Sequence, residues 1–384
     1  MPGLAIIVPT RNPGPLFLQE AERLARQKPQ WQWIVVDDHS TEPVAAQLPE
    51  MPNLQVSRNH TSLGAGACRN LGMTQVAKPY TLFLDDDDSM HWDIVESALQ
   101  EMNADTSVDV TMFAYDRLLN GEHKAATEHD ASILTSILRG APERVLSQTA
   151  SEPLLAFTNY PWNKLYRSSF LREAGIRFSE TAVQNDVLAH WQTILRARTL
   201  CLREQVLCTK VDFTGGERIG NTADHRCLEA FQALRETYAM LLREHAPPSV
   251  APVFLEFVLD LYGWLNSKAG NEVRLQLKEQ HSSLVATMQA DGFLQGEACQ
   301  RLLWQQHTVS LLSEPEPPAA SILLAEISRL KRLAQALQAE KETMHHQAQL
   351  QEEELAHLHR TLRRKLVRLA LFVGDGLARI RGNN

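Results

Sequence analysis

Thr81-Leu-Phe-Leu-Asp-Asp-Asp-Asp88 passes from apolar residues to four consecutive carboxylates in a single step. The apolar half has the length and character of a short strand covered on both faces, and the acidic half begins where such a strand ends. Two earlier runs share this form. Leu4-Ala-Ile-Ile-Val8 leads into Pro9-Thr-Arg-Asn12, and Trp33-Ile-Val-Val-Asp37 leads into Asp38-His-Ser-Thr41. Leu54–Ser57 and Val108–Phe113 are further strand candidates, and amphipathic stretches lie between them at Leu16–Arg26 and Cys68–Ala77. Strands alternating with helices predict an α/β domain on a largely parallel sheet. In such sheets ligands bind at the C-terminal ends of the strands, where all three polar turns fall.

Beyond the predicted sheet, residues 125–214 mix short helices with a strand candidate at Thr199–Val206, and Cys227 to Leu312 shows helical spacing of Leu, Phe and Ala. Glu314-Pro-Glu-Pro-Pro318 breaks the pattern and reads as a linker. From Ala319 to Val373 there is no Gly or Pro, and steps of four and three run from Leu323 through Ile327, Leu330, Ala334 and Leu337 to Leu369. This seam predicts a coiled coil and a homo-oligomer; a single helix docked on the preceding domain is the plainer reading. Arg363-Arg-Lys-Leu-Val-Arg-Leu-Ala-Leu-Phe-Val373 is basic and amphipathic, suited to an anionic membrane surface or to the solvated end of a coiled coil. The expected domains are therefore 1–225, 226–313, a linker at 314–318, a coiled coil at 319–373 and a basic tail at 374–384.

The chain of 384 residues is 44% hydrophobic, enough for more than one core, and its net charge of -8 argues against nucleic acid as a partner. Its five cysteines are scattered with no CxxC pair, which speaks against a disulfide framework or a zinc site. A strand begins almost at the first residue, and no apolar run approaches the roughly 20 residues needed to span a bilayer. These features predict a cytoplasmic protein, peripheral at the inner face of the plasma membrane if the basic tail binds there.

Four adjacent carboxylates repel one another, and like charges raise their pKa values unless a cation is present. Mn2+ or Mg2+ takes carboxylate oxygens and fills its remaining positions with substrate phosphates. A solvated loop is the bland alternative. Asp37-Asp38 stands at another strand end, where one carboxylate can accept the N–H of a pyrimidine base or cap a helix. Gly64-Ala-Gly-Ala-Cys-Arg-Asn70 lacks the last glycine of a dinucleotide fingerprint; its small residues suit close packing, with Arg69 turned to the nucleotide.

Together Pro9-Thr-Arg-Asn12, Val36-Asp-Asp-His-Ser40, Cys68-Arg-Asn70 and Phe83-Leu-Asp-Asp-Asp-Asp88 resemble, in order and spacing, the motifs of the GT-A-fold family 2 glycosyltransferases. The resemblance covers roughly residues 1–225. It implies that Pro9, Thr10, Asn12, Asp38 and Arg69 contact a nucleotide-sugar, with Asp38 on a uracil-type base. It further implies that Asp85 and Asp86 hold the ribose and diphosphate and that Asp87 ligates the metal. Asn163-Lys-Leu-Tyr166 resembles a second family segment, and Gln184-Asn-Asp186 stands where the family carries Glu-Asp, making Asp186 the general base. Asp186 is equally placed to cap the helix expected at Val187–Arg196. In Gly215-Gly-Glu-Arg-Ile-Gly-Asn-Thr222 the glycines allow a loop that brings Arg218 to the diphosphate, or a plain connector.

The resemblance implies a metal-dependent, inverting transfer of sugar from a UDP-sugar to a hydroxyl of a glycan or lipid-linked acceptor in cell-surface polysaccharide synthesis. Two other readings remain. One is a transferase-like coiled-coil scaffold without activity, and the other is a sugar nucleotidyltransferase, for which Pro9-Thr-Arg-Asn-Pro-Gly14 is poor in glycine.

Overall fold

A computed structural model describes residues 2–212 and 224–313. In chain order the elements are β1 (Leu4–Thr10), α1 (Pro15–Gln27), β2 (Gln32–Asp37), β3 (Leu54–Arg58), α2 (Gly64–Thr74), β4 (Tyr80–Phe83), β5 (Ser89–Met90), α3 (Trp92–Ala104), β6 (Val110–Leu119) and β7 (Glu122–Ala125). There follow α4 (Glu128–Leu138), β8 (Glu143–Ser147), β9 (Lys164–Arg167), α5 (Ser168–Glu173), α6 (Val187–Arg196), β10 (Thr199–Asp212), α7 (Ala230–Arg243), α8 (Val250–Lys268), α9 (Asn271–Ala290) and α10 (Glu297–Ser313).

The apolar runs that open the chain form the centre of the sheet. Every residue of β1 and β2 is buried, as expected of strands covered on both faces. The two pair in parallel, β4 and β3 flank them in parallel, and the sheet runs β3-β2-β1-β4-β9-β6-β10-β5. A proline can start α1 because its missing N–H falls among the unpaired donors of the first turn, and Phe17, Ala21, Leu24 and Ala25 face the sheet.

The sheet is mixed rather than largely parallel. β9 runs antiparallel between β4 and β6, and β5, β7 and β8 add further antiparallel edges. β10 is longer than the expected Thr199–Val206, with register breaks between Arg203 and Val206 and between Val206 and Cys208 that bend it along β6. α6 spans Val187–Arg196 as the sequence pattern predicts, and its Trp191 meets Phe254 of α8 edge-on.

Met1–Leu303 form one compact unit, in which α7 packs on α6 and α9 packs on α7 and α8. Of a second unit, Trp304–Asn384, only the end of α10 is described. The linker at 314–318, the coiled coil at 319–373 and the basic tail at 374–384 lie outside the described residues. Among the described residues no helix is long and apolar enough to cross a membrane.

Close packing of α2 on β1 depends on Gly72, where an added Cβ would stand 2.5 Å from Ile7 Cγ2. Gly72→Ala should therefore destabilise the protein by roughly 1–3 kcal/mol, the usual range for overpacking a close-packed interior. Urea denaturation of the two proteins measures this, and equal midpoints would show that α2 can shift at no cost.

Candidate active site

The three polar turns converge at the strand ends, as the parallel order of β2, β1 and β4 requires. Asn12 takes a left-handed backbone at φ 55°, its N–H donates to Ser40 Oγ at 2.8 Å, and its Oδ1 accepts from the Thr41 N–H at 2.8 Å. The exposed Asn12 thus joins the first turn to the second. Pro9 lies within β1 opposite Val36, and the Thr10 carbonyl accepts from the Asp38 N–H at 2.8 Å. Thr10 Oγ1 donates to Asp86 Oδ2, which brings the third turn to the first.

Of the paired carboxylates at the end of β2, Asp37 is structural. It accepts from the Ser40 and Val44 amides at 2.7 and 3.2 Å and pairs with Arg58 at 2.6 Å. Asp38 is also buried and accepts four bonds: Asn59 Nδ2 at 2.9 Å, Ser62 Oγ at 2.7 Å, Leu63 N–H at 2.7 Å and Gly64 N–H at 2.9 Å. Leu63, at the N-cap of α2, offers no side-chain oxygen, so Asp38 supplies the cap from a neighbouring strand. Burial alone would raise the Asp38 carboxyl, but these donors outweigh it and hold the group below its ordinary value.

α2 carries Arg69 into the interior one and a half turns later. Its guanidinium donates to Asp85 Oδ1 at 2.5 Å and to Asn185 Oδ1 at 2.7 Å, and it lies 5.2 Å from the ring centre of Phe178. Arg69 Nε is buried without a partner. An added Cβ at Gly66 would overlap the Ser179 carbonyl, so a glycine there lets α2 meet the stretch before Asp186. Arg69 thus brings the acidic turn and Asp186 into one site.

Asp186 stands at the N-cap of α6 with no side-chain cap bond, leaving its carboxylate unused by the helix. Burial pushes its pKa up, opposed by the nearby charges of Arg69 and Lys164 and aided by Asp85. Lys164 is wholly buried and donates to the Tyr160 carbonyl at 2.6 Å and to Asn163 Oδ1 at 2.8 Å. Burial brings its ammonium down to about 7, with Asp186 and then Asp130 resisting.

The acidic turn itself is uneven. Asp87 is exposed, whereas burial pushes Asp86 up to about 7 and Asp88 up to about 8. Asp88 Oδ1 accepts from the Val211 N–H at 3.0 Å, and its Oδ2 is buried with no partner. Among the described residues no three His, Cys, Asp or Glu side chains converge as a cage. A turn of hard oxygen donors with one buried orphan suits an ion held by one or two carboxylates and completed by phosphate oxygens.

Sequence reasoning missed Asn59 and Ser62 as parts of this site, and it gave Lys164 and Asp88 no role of their own although both stand in quoted motifs. Asn59 and Ser62 sit in an irregular stretch without a motif, and a buried lysine carries no periodic signal of its own. Arg218 lies outside the described residues.

Residues 5–175 match the family described as Glycosyl transferase family 2. The chain is similar to the poly(ribitol-phosphate) beta-N-acetylglucosaminyltransferase TarS of Staphylococcus aureus strain Mu50 / ATCC 700699 and to TarS of strain MW2. Each is 28% identical over 193 residues, which is 46% of this chain and 29% of the relative. The match thus spans less than a third of these relatives' length. A solved structure of S. aureus TarS 1–349 in complex with UDP-GlcNAc has the same fold, with a TM-score of 0.53 and 19% identity, covering 73% of this chain and 88% of that one.

The four bonds to Asp38 give the site a measurable pH signature. Asp38→Ala should lower stability at neutral pH by about 1–3 kcal/mol, because the buried donors it satisfies lose their acceptor. With its folded pKa depressed, Asp38 contributes stability above the ordinary carboxylate range and loses it as pH falls through the folded value. Melting curves of variant and wild type should therefore converge on acidification; a gap that stays constant with pH would mean that the ionised form is not what the loop binds.

Proposed function

We propose that the chain transfers a sugar from a UDP-sugar, N-acetylglucosamine by analogy with TarS, to a hydroxyl of a polyol-phosphate or similar anionic glycan. The observation that carries this is Arg69, whose paired bonds hold Asp85 of the acidic turn and Asn185 beside Asp186 in one site. A donor and an acceptor can meet only if diphosphate-binding and proton-accepting groups stand together.

In this reading Pro9, Thr10 and Asn12 line the nucleoside side of the donor site. Asp38 shapes the base pocket, and a base N–H reaching it would compete with one of its four donors. Asp85 and Asp86 face the ribose and diphosphate, and Arg69 offsets their charge. Asp87 would hold Mn2+ or Mg2+, which supplies positive charge against the diphosphate when bound. Asp186 takes the proton from the acceptor hydroxyl. The hydroxyl oxygen attacks the anomeric carbon as the bond from that carbon to the diphosphate breaks, and UDP leaves with the electron pair. Direct displacement of this kind inverts the anomeric configuration.

A row of cations beside the site supports an anionic acceptor. Register sets Lys210 of β10 beside Arg117 of β6, and Arg117 beside Lys124 of β7. Lys124 is paired with Glu122 at 2.8 Å, and the Lys210 ammonium lies 5.1 Å from the ring centre of Tyr160. In a chain of net charge -8 such a row gathers positive charge beside the acidic turn. A scaffold without activity is the second reading, and the acidic turn with Asp186 argues against it.

Calorimetric titration of UDP, with and without Mn2+, tests the donor site. Binding should require Mn2+ and weaken at least tenfold in Asp87→Ala; no binding of UDP to wild type under either condition would favour the scaffold. The base has its own signature. Asp186→Asn should leave UDP affinity within about twofold and lower turnover of UDP-GlcNAc by ~100-fold or more, in the range for loss of a positioned base. Asp186 works ionised and burial raises its pKa, so wild-type turnover should fall on the acid side at a pH above the ordinary carboxylate range. A limb within the ordinary range would assign the proton transfer to another group.

A further inference from the structure

The acidic turn hangs directly on β4, whereas Asp186 stands on an irregular stretch between α5 and α6 that includes Gln184 at φ 56°. A base must be held within hydrogen-bond reach of its proton, so this stretch has to be fixed from outside. One side is held by α2. Asn70 Nδ2 donates to the Phe178 carbonyl at 3.0 Å, and Asn70 Oδ1 accepts from the Phe178 N–H at 2.9 Å. Arg69 then reaches Asn185 further along.

The opposite side is held by the helical segment that follows the sheet. Glu229, at the end of the short turn His225–Glu229, accepts from the Ala182 N–H at 2.6 Å. Glu236, two turns on along α7, accepts from Ser179 Oγ at 2.8 Å and lies 3.8 Å from Arg177. Residues seven apart fall on one helix face, so both carboxylates meet the same stretch. Glu229 is also the N-cap residue of α7, where a carboxylate commonly caps its own helix, yet it makes no side-chain cap bond there. Its oxygen goes to the Asp186 stretch instead.

We propose that Glu229 and Glu236 are positioning residues for Asp186, so that α7, beyond the family-matching residues 5–175, sets the geometry of proton removal. The proposal rests on the reading of Asp186 as the base. The pair clamps residues 179–182 against α2 and thereby fixes where α6 and its N-cap carboxylate begin. Arg177 adds little, since an exposed pair at that distance is weak and screened by solvent.

The test uses the full chain with Glu229→Ala, Glu236→Ala and the corresponding Gln variants, which keep an accepting oxygen at each position. UDP release from UDP-GlcNAc with Mn2+, UDP affinity by calorimetry and hydrogen exchange at the Ala182 amide are measured for each. The Ala variants should lose about 10- to 100-fold in kcat, as expected for a base displaced by a fraction of an ångström to an ångström, with UDP affinity within about twofold of wild type. The Gln variants should recover to within about threefold. Exchange at Ala182 should quicken at least tenfold in Glu229→Ala and return in Glu229→Gln. Wild-type turnover in the Ala variants, Gln variants as slow as Ala, or unchanged exchange at Ala182 would each overturn the proposal. A wild type that neither binds UDP nor turns over UDP-GlcNAc would instead reject the reading of the base, while the exchange result still decides whether the clamp exists.

Discussion

The guanidinium of Arg69 is the charge around which the site closes. It is buried, and a buried cation is tolerated only when its partners are in place. Asp85 supplies an opposite charge and Asn185 a neutral oxygen, while the Phe178 ring covers one face. Removing either partner would leave an under-compensated charge in the interior, and removing the arginine would leave Asp85 and Asp186 facing each other unscreened. The position of Arg69 is in turn fixed at the N-terminus of its helix by Asp38, four donors deep in the second strand turn. A single ionic chain therefore links the ends of β2 and β4 to a stretch that the sheet does not otherwise control.

Electrostatics and packing act together along this chain. α2 can lie close to β1 and to the Asp186 stretch only because Gly72 and Gly66 present no side chain there. Close approach excludes water, which strengthens the interaction of Arg69 with its partners and also makes the acidic turn costly to ionise. The raised carboxyls of Asp86 and Asp88 are the visible part of that cost. Positive charge brought to the turn would relieve it, which is what the proposed metal would supply.

How much of this could be read from the sequence depended on the kind of signal each element leaves. β1 and β2 are uninterrupted apolar runs, and α6 combines a polar start with dense apolar spacing, so their bounds emerged within a residue or two. β9 is four residues long and begins with a lysine, which reads as a surface position and is in fact wholly buried. Its antiparallel insertion has no periodic signature, and the expectation of a largely parallel sheet failed for that reason. At the site, the acidic run and the Asp37-Asp38 pair were plain, but their partners were not. The asparagine at 185 looked like a charge lost from a motif, whereas its amide oxygen is one of the two acceptors for Arg69. Such roles depend on residues more than a hundred positions away, which no local pattern encodes.

The insertion of β9 also has a consequence for how the chain is made. β4 and β6 are complete by residue 119, yet the strand that lies between them begins at residue 164. During synthesis the outer edge of β4 therefore waits unpaired, and β6 has β7 as its one neighbour until β9 is made. Unpaired edges of this kind invite pairing with the wrong chain. The wait ends when Lys164–Arg167 emerges, carrying a lysine whose charge must be stripped of water as it enters. Completion of the sheet is thus ordered along the chain, with β4 and its acidic turn made before the strand that pairs with β4, and the interval between them is when the open edge is most prone to wrong pairing.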